Sequence, residues 1–340
     1  MMDSIYDIRF ARLDEADDII DFYRKYWNEN HALVKSKALF DFQHKYKDRY
    51  NIIIAYNKET KEIDGTWGLI PVSQYDYSLE INGDYWGGIL KIRDDVKNRE
   101  IHRIAFRMYK YVLSLPNIKS YISSGLGDMG QRFMNPFNKN IGILNQYYIA
   151  NRCREFFNIC KNPTLRNYSS STADIKFISD ISNVEFPTTC YKPIKSKDYI
   201  INRFLHHPYY KYDLFGVFVA GVLKTVFVTR KITIPEKGNI IRIVDCLGTL
   251  NGLGCLGNQF QQILLKEDAE YIDILNHGIE SKVFIDLGFE PLDLTQSNTI
   301  IPGYFEPFEM SNVSIHYAYN MTETYCIFKA DSDQDRPNII

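Results

Sequence analysis

The chain lacks the features that mark several classes of protein. Its 340 residues contain no run of about 18 apolar residues, so the sequence predicts no membrane-spanning helix and no membrane partner. Neither charge dominates, because 40 Lys and Arg face 42 Asp and Glu, whereas nucleic-acid binders normally carry a basic excess. The six cysteines form no C-x-x-C pair and show no metal-ligand spacing. They indicate reduced thiols, and with a start unlike a signal peptide they predict a cytoplasmic protein without a metal site.

What is present fits two α/β units. Apolar residues make up 45% of the chain, enough to bury a sizeable core, and the length suits two domains. Segments 118–133 and 269–284 share one order: strand, short polar loop, helix. We therefore predict two domains with mixed, mostly antiparallel sheets, spanning residues 1–160 and 173–340, with the site in the cleft between them.

A glycine-rich loop, Gly248–Gly257, separates a predicted strand from a predicted helix. Gly252, Gly254 and Gly257 match G-x-G-x-x-G by letters. Dinucleotide folds carry that motif after the first strand of a parallel βαβ unit, whereas this copy follows a hairpin deep in the chain, so we reject dinucleotide binding. The helix N-terminus would still offer N–H groups to a pyrophosphate. A turn without a ligand is the alternative.

The order of strand, glycine loop, helix, strand and helix resembles the acyl-CoA-binding half of the GNAT superfamily of acyltransferases. The family loop is R/Q-x-x-G-x-G/A, and Thr249-x-x-Gly252-x-Gly254 keeps its glycines. The late family helix ends Tyr-x-x-x-Gly-Phe, and here Phe284 precedes Gly288-Phe289 in place of the tyrosine. The resemblance implies two GNAT-like domains, of which only the second carries the donor loop. It also implies acyl-CoA as co-substrate, with no permanently bound cofactor.

The donor site that the resemblance implies consists of Thr249, Gly252, Gly254 and Gly257. Arg93-Asp94-Asp95-Val96 stands at the corresponding place in the first half, which has no glycine loop.

Tandem GNAT-like halves, one without the loop, are similar to N-acyltransferases that modify dTDP-linked amino sugars for surface polysaccharides. The segments 199–210 and 331–338 look like parts of such proteins. The resemblance implies a nucleotide sugar as acceptor; a homodimer is left open. An acidic terminal segment is ordinarily solvated, so only the resemblance gives the tail a ligand role.

Three side chains are candidates for proton transfer. Asp245 lies on the strand that leads into the glycine loop, and His277 follows the next strand. Asp94 follows a predicted strand of the first half and ranks third. A carboxylate or imidazole there would accept the proton of the attacking amine. Turn formation, a sheet-edge hydrogen bond or a satisfied core histidine are the alternatives.

A second group of candidates lies in an irregular segment before Pro208, where functional residues are common. Arg203 would neutralise a diphosphate, His206 and His207 would donate hydrogen bonds, and Tyr209 would stack on a base. Surface charge and ordinary packing are the alternatives for each.

The sequence thus predicts a CoA-dependent N-acyltransferase that forms an amide on a nucleotide-linked amino sugar. Two alternatives stay open. One is a non-catalytic binding protein on a degenerate acyltransferase fold, and the other is an aminoacyl or peptidoglycan-type transferase.

Overall fold

The computed structural model describes residues 4–171, 173–295 and 298–338. Its strands are β1 Tyr6–Arg12, β2 Lys45–Tyr46, β3 Arg49–Asn57, β4 Ile63–Pro71, β5 Asp84–Ile92, β6 Ser120–Ser124, β7 Asn140–Ile143, β8 Asn145–Ala150, β9 Ala173–Phe177, β10 Asp213–Val219, β11 Val222–Ile234, β12 Gly238–Gly248, β13 Ala269–His277, β14 Glu290–Pro291, β15 His316–Tyr319 and β16 Ile327–Phe328. The helices are α1 Ala16–Tyr26, α2 Ala32–Lys35, α3 Lys37–His44, α4 Ile104–Ser114, α5 Asp128–Met134, α6 Lys197–Ile200, α7 Gly257–Lys266 and α8 Ser281–Asp286. A π-helical turn, Ile201–Leu205, continues α6.

The strands form two sheets with matching order. The first runs β1-β3-β4-β5-β6-β15-β7, with β2 beside β3. The second runs β9-β10-β11-β12-β13-β8-β14, with β16 beside β13. In each sheet one pair is parallel, β5 with β6 and β12 with β13, and the other described pairs are antiparallel. This confirms the predicted α/β class with mixed, mostly antiparallel sheets.

The two sheets exchange one strand each. β8 comes from the first half of the chain and pairs with β13, and β15 comes from the C-terminal part and pairs with β6. Each exchanged strand therefore lies beside the second strand of a parallel pair. Strand pairing crosses the predicted boundary between residues 160 and 173 in both directions. The boundary therefore stays a prediction.

Central strands are apolar on both faces because helices cover both. In β3, Ile52 and Ile54 pack with α1, α2 and α3, whereas Ile53 packs with α4. Another core joins the halves, with Trp86 and Ile122 of the first sheet against Val244 and Leu275 of the second. The halves are thereby held together by apolar burial. Within the described ranges, no helix combines the length and the apolar character that crossing a membrane requires.

Candidate active site

The first sheet has an opening where its parallel strands separate. β5 and β6 pair from Asp84–Ser120 to Trp86–Ile122 and then diverge. Beyond that point no described strand pairs with β5 on the β6 side. A cavity of about 540 Å³ occupies the gap, between Trp67 on one wall and the loop before α5 on the other. Parallel strands that part in this way leave backbone hydrogen-bonding groups facing a space of ligand size.

A buried hydroxyl points into this gap. Gly87 has no side chain where the Tyr121 ring ends, and a Cβ there would overlap the Tyr121 hydroxyl. The Ser123 hydroxyl donates to the Tyr121 Oη at 3.4 Å. Burial raises the pKa of Tyr121, so this phenol keeps its proton at neutral pH. The missing side chain at Gly87 thus makes room for a proton donor between the two strands.

The C-terminal tail, which we define as residues 326–338, enters the same gap. The Ser332 hydroxyl donates to the Gly87 carbonyl oxygen, and the Gln334 side chain fills the place of a Cβ on Gly125. Ser332 and Asp333 both have positive φ, 55° and 58°. Two adjacent non-glycine residues in the left-handed region are costly, and such strain is concentrated at functional sites.

Asp333 is the carboxylate that the tail brings to the cavity. Its Oδ2 accepts hydrogen bonds from the Gln43 amide at 3.3 Å and from the Arg336 Nε at 3.1 Å. Among the described lining residues, the other carboxylate is the exposed Asp128, at the start of α5. Asp333 also lines a second cavity, of about 20 Å³, between the halves. It therefore stands between the gap in the first sheet and the cleft.

Polar atoms without partners surround this carboxylate. The Tyr23 hydroxyl and the Nε2 atoms of His31 and His44 are buried, and none has a hydrogen-bond partner among the described residues. Burial lowers the pKa of each histidine to about 4, with the nearby Asp333 opposing that shift. Both imidazoles are accordingly neutral at pH 7, and unpaired polar atoms of this kind favour occupation by water or a polar ligand.

The second sheet separates in the same way, but the chain itself fills the gap. β12 and β13 pair as far as Ile243–Ile274 and then part. There β16 pairs with the end of β13, and the Ala330 amide donates to the Val244 carbonyl oxygen at 3.0 Å. The tail thus occupies the position that the cavity occupies in the first sheet.

Asp245 belongs to a buried ion cluster at this second gap. The Lys195 Nζ lies 2.8 Å from both Asp245 oxygens and 3.0 Å from Asp331 Oδ1, and all three residues are buried. Burial raises the pKa of Asp245 to about 6, the Lys195 ammonium opposes the rise, and the Asp331 carboxylate adds to it. The geometry gives Asp245 a structural role, and its predicted role as a base stays a prediction.

The other two predicted proton-transfer residues lie apart from Asp245. His277 stacks on Tyr317 at 4.1 Å, and its Nε2 lies 3.1 Å from the Tyr319 hydroxyl. Burial lowers the pKa of His277 to about 4. Asp94 is exposed, and its carboxylate lies 3.6 Å from the Lys91 ammonium. The structure does not bring these three candidates into one site.

The predicted donor loop has the expected backbone but a covered helix end. Gly252 and Gly254 have φ of 74° and 73°, which explains why glycine stands at both positions. Thr249 accepts the Asn251 amide at 3.2 Å and so closes the turn. A Cβ on Gly257 would overlap the Tyr168 ring, which packs on the first turn of α7. The chain thereby covers the place predicted for the pyrophosphate, and the assignment stays a prediction.

The four predicted acceptor residues divide into buried and exposed pairs. Arg203 is buried, donates to the Ala330 carbonyl oxygen and lies over the Tyr75 ring at 4.9 Å. His207 lines the 20 Å³ cavity and accepts the Tyr210 amide at 2.9 Å. His206 and Tyr209 are exposed. Arg203 and His207 thus line the small cavity between the halves, and the predicted acceptor-binding role of all four residues stays a prediction.

The sequence analysis missed the first-half gap. The pair Gly87-Gly88 inside a predicted strand could have indicated the gap, since glycine within a strand often marks a close approach of a ligand or backbone. The tail was singled out, but the expectation of a solvated terminus is wrong: Asp331, Ser332 and Asp333 are buried.

Comparisons with known proteins address the fold. The sequence matches no family model and no curated protein. Among solved structures, a GCN5-related N-acetyltransferase from Anabaena variabilis is similar with a TM-score of 0.55 and 9% identity, over 92% of this chain and 72% of that one. A conserved protein from Enterococcus faecalis, described as a probable N-acyltransferase, gives 0.50 and 7%, over 96% and 72%. The chain has a GNAT-like fold. The predicted fold is confirmed, in two halves with one sheet each.

Proposed function

We propose that this chain transfers an acyl group from a CoA thioester to an amine, at the cavity where β5 and β6 separate. The observation that carries the proposal is the cavity itself, about 540 Å³ between two diverging parallel strands. Its lining includes a buried phenol, Tyr121, and a carboxylate, Asp333. An acid and a base beside one enclosed space are what amide formation from a thioester requires.

The donor would bind along the separated strands. The arm of CoA contains amide groups, and these can pair with the unpaired edge of β5 as an added strand would. Three exposed cations, Lys97, Arg99 and Arg103, follow β5 in the segment leading to α4. They would attract the phosphates of the donor. We therefore propose a donor site in the first half, whereas the sequence predicted it at the glycine loop of the second half.

The chemistry needs one proton acceptor and one donor. The amine nitrogen attacks the thioester carbonyl carbon, and the C–S bond breaks as the C–N bond forms. Asp333 accepts the proton that the nitrogen loses. The Tyr121 hydroxyl gives its proton to the departing thiolate, and the phenolate is reprotonated from solvent. The products are an amide and free CoA thiol.

For the acceptor, we propose the nucleotide-linked amino sugar that the resemblance implies. Two cations, Arg203 and Arg336, line the small cavity beside Asp333 between the halves. They would attract the diphosphate of an acceptor that binds in the cleft, so that its sugar amine reaches Asp333.

The test is release of free thiol from acetyl-CoA, measured with a dTDP-linked amino sugar and with the free amino sugar. We expect Asp333→Asn to lower kcat by roughly 10² to 10⁴ while the KM for acetyl-CoA stays unchanged. Asp128→Asn is the matched control, because Asp128 lines the same cavity from an exposed position. Its kcat should remain that of the wild type.

Three outcomes would contradict the proposal. If Asp333→Asn keeps its kcat while Asp245→Asn or His277→Asn loses it, the reaction belongs to the second half. If acetyl-CoA raises the melting temperature but no acceptor releases thiol, the protein is the non-catalytic binder. Equal rates with the free amino sugar would show that the enzyme does not recognise the nucleotide of the acceptor.

A further inference from the structure

A third cavity, of about 40 Å³, is lined by the tail residues Lys329 and Gln334 to Arg336 and by residues of the second half. Four cationic side chains line it: Arg230, Arg242, Lys329 and Arg336. Two carboxylates, Glu306 and Asp335, line it as well. The volume holds a few water molecules or one tetrahedral oxyanion.

Several N–H groups of these cations have no partner among the described residues. The buried Arg230 Nε is unpaired, and that guanidinium donates from Nη2 to Asp335 at 2.7 Å. Lys329 makes one hydrogen bond, from its Nζ to the Gln334 carbonyl oxygen at 2.6 Å. Arg336 donates from Nε to Asp333 and from Nη1 to Asn338, and its Nη2 has no partner among the described residues. By contrast, Arg242 is satisfied by Asp273 and two carbonyl oxygens.

Lys329 is the unusual member of this group. It is buried, yet no described carboxylate lies within ion-pair distance of its ammonium. The pKa of Lys329 is lowered to about 7, mainly by burial and also by Arg242 and Arg230, against the attraction of Asp335 and Asp273. A buried ammonium among other cations is costly unless an anion joins it.

We propose that this cavity binds a tetrahedral oxyanion, one phosphate group of a phosphate ester, between Arg230, Lys329 and Arg336. The unpaired N–H groups supply the hydrogen bonds, and the anion supplies the negative charge that the cluster lacks around Lys329. Cations of this geometry are the usual partners of phosphate oxygens.

The position links this site to the proposed reaction. Gln334 lines both this cavity and the first-sheet gap, and Asp333 to Arg336 span three peptide units, at most about 11 Å. A ligand whose phosphate lies here can therefore reach Asp333 with a neighbouring sugar. The assignment of the phosphate to the acceptor rests on the proposed function, whereas oxyanion binding itself does not.

The experiment measures binding without turnover. Sulfate serves as the probe, because it is tetrahedral and does not titrate near neutrality, with chloride at equal ionic strength as the reference. Isothermal titration calorimetry at pH 8, in two buffers of different ionisation enthalpy, reports the protons taken up. We expect saturable sulfate binding with proton uptake, because a bound anion favours the charged form of Lys329.

Variants assign that uptake to Lys329. Lys329→Met should abolish proton uptake and weaken sulfate binding at least tenfold, since the ammonium is lost while the length of the side chain is kept. Lys224→Met is the control, because Lys224 is exposed on β11 of the same half. Its binding should match the wild type. If circular dichroism shows that Lys329→Met does not fold, proton uptake by the wild-type protein on sulfate binding decides whether the proposal holds.

Competition identifies the source of the phosphate. Displacement of sulfate by the dTDP-linked amino sugar, but not by acetyl-CoA, assigns the site to the acceptor; displacement by acetyl-CoA assigns it to the donor. Both results support an oxyanion site even if no thiol is ever released. Absence of saturable sulfate binding, or binding without proton uptake that Lys329→Met leaves unchanged, overturns the proposal.

Discussion

Replacing Lys195 by methionine would remove the one cation of the buried cluster that fixes the tail to the second sheet. The Lys195 Nζ lies 2.8 Å from both Asp245 oxygens and 3.0 Å from Asp331. At an effective dielectric constant of about 20, each pair gains roughly 6 kcal/mol of Coulomb energy, most of which offsets the desolvation of the three groups. Loss of the shared partner from a buried pair costs about 3–5 kcal/mol.

The cost should depend on pH in a defined direction. Lys195→Met leaves two buried carboxylates without a cation at pH 7.5. Both can take up protons as the pH falls, so the loss of unfolding free energy should shrink towards pH 5. Urea unfolding of wild type and variant at both pH values measures this difference. A double variant, Lys195→Met with Asp245→Asn, should recover at least about 1 kcal/mol, because one uncompensated charge is removed.

The single variant Asp245→Asn distinguishes a structural role of Asp245 from a catalytic one. In the wild type the pKa of Asp245 is raised to about 6, so the folded state binds a proton that the unfolded state releases. That contribution is present below about pH 4 and is lost as the pH rises to about 6. Asp245→Asn should remove this dependence and change stability little at pH 7.5, since Lys195 still pairs with Asp331.

A small effect of Lys195→Met, below about 1 kcal/mol at pH 7.5, or a cost independent of pH, would refute this reasoning. Full stability of Asp245→Asn together with a kcat lowered by roughly 10² or more would restore Asp245 as the base predicted from the sequence.

Three further predictions concern other parts of the chain. Gly87→Val should lower kcat by roughly 10² or more, because its side chain would displace the hydroxyl of Tyr121, the proposed proton donor. Gly254→Val should cost about 1–3 kcal/mol of stability through its positive φ and leave kcat unchanged; steady-state kinetics and urea unfolding compare the two. The folded pKa of His44, about 4, lies below its unfolded value of 6.5, so the unfolding free energy should fall by about 3 kcal/mol between pH 6.5 and 4, and His44→Gln should flatten that slope. Arg203→Ala should lower stability by about 2 kcal/mol with little dependence on salt, because the guanidinium is buried against Ala330; salt-dependent acceptor binding that Arg203→Ala weakens would in addition support the proposed contact with the diphosphate.

The sequence alone determined the class of fold because local patterns are physical consequences of burial. Alternation and apolar runs located the strands, as at 52–54, and two strand–loop–helix segments indicated that one unit occurs twice. Glycines at 252 and 254 were correctly placed in a turn, since positive φ is a local requirement.

The location of the site depends on contacts between residues distant in the sequence. Tyr121 and Gly87 are 34 positions apart, and Asp333 approaches both only because the tail runs from the second sheet into the first. The periodicity of apolar residues does not report such contacts. The two sheets have topologically equivalent gaps, and the sequence pattern does not show which of them the chain fills. The tail fills the gap beside Asp245, whereas it only lines the gap beside Tyr121, where a cavity remains. Which half retains a binding cavity was therefore decided by the tertiary structure, through the path of the last dozen described residues.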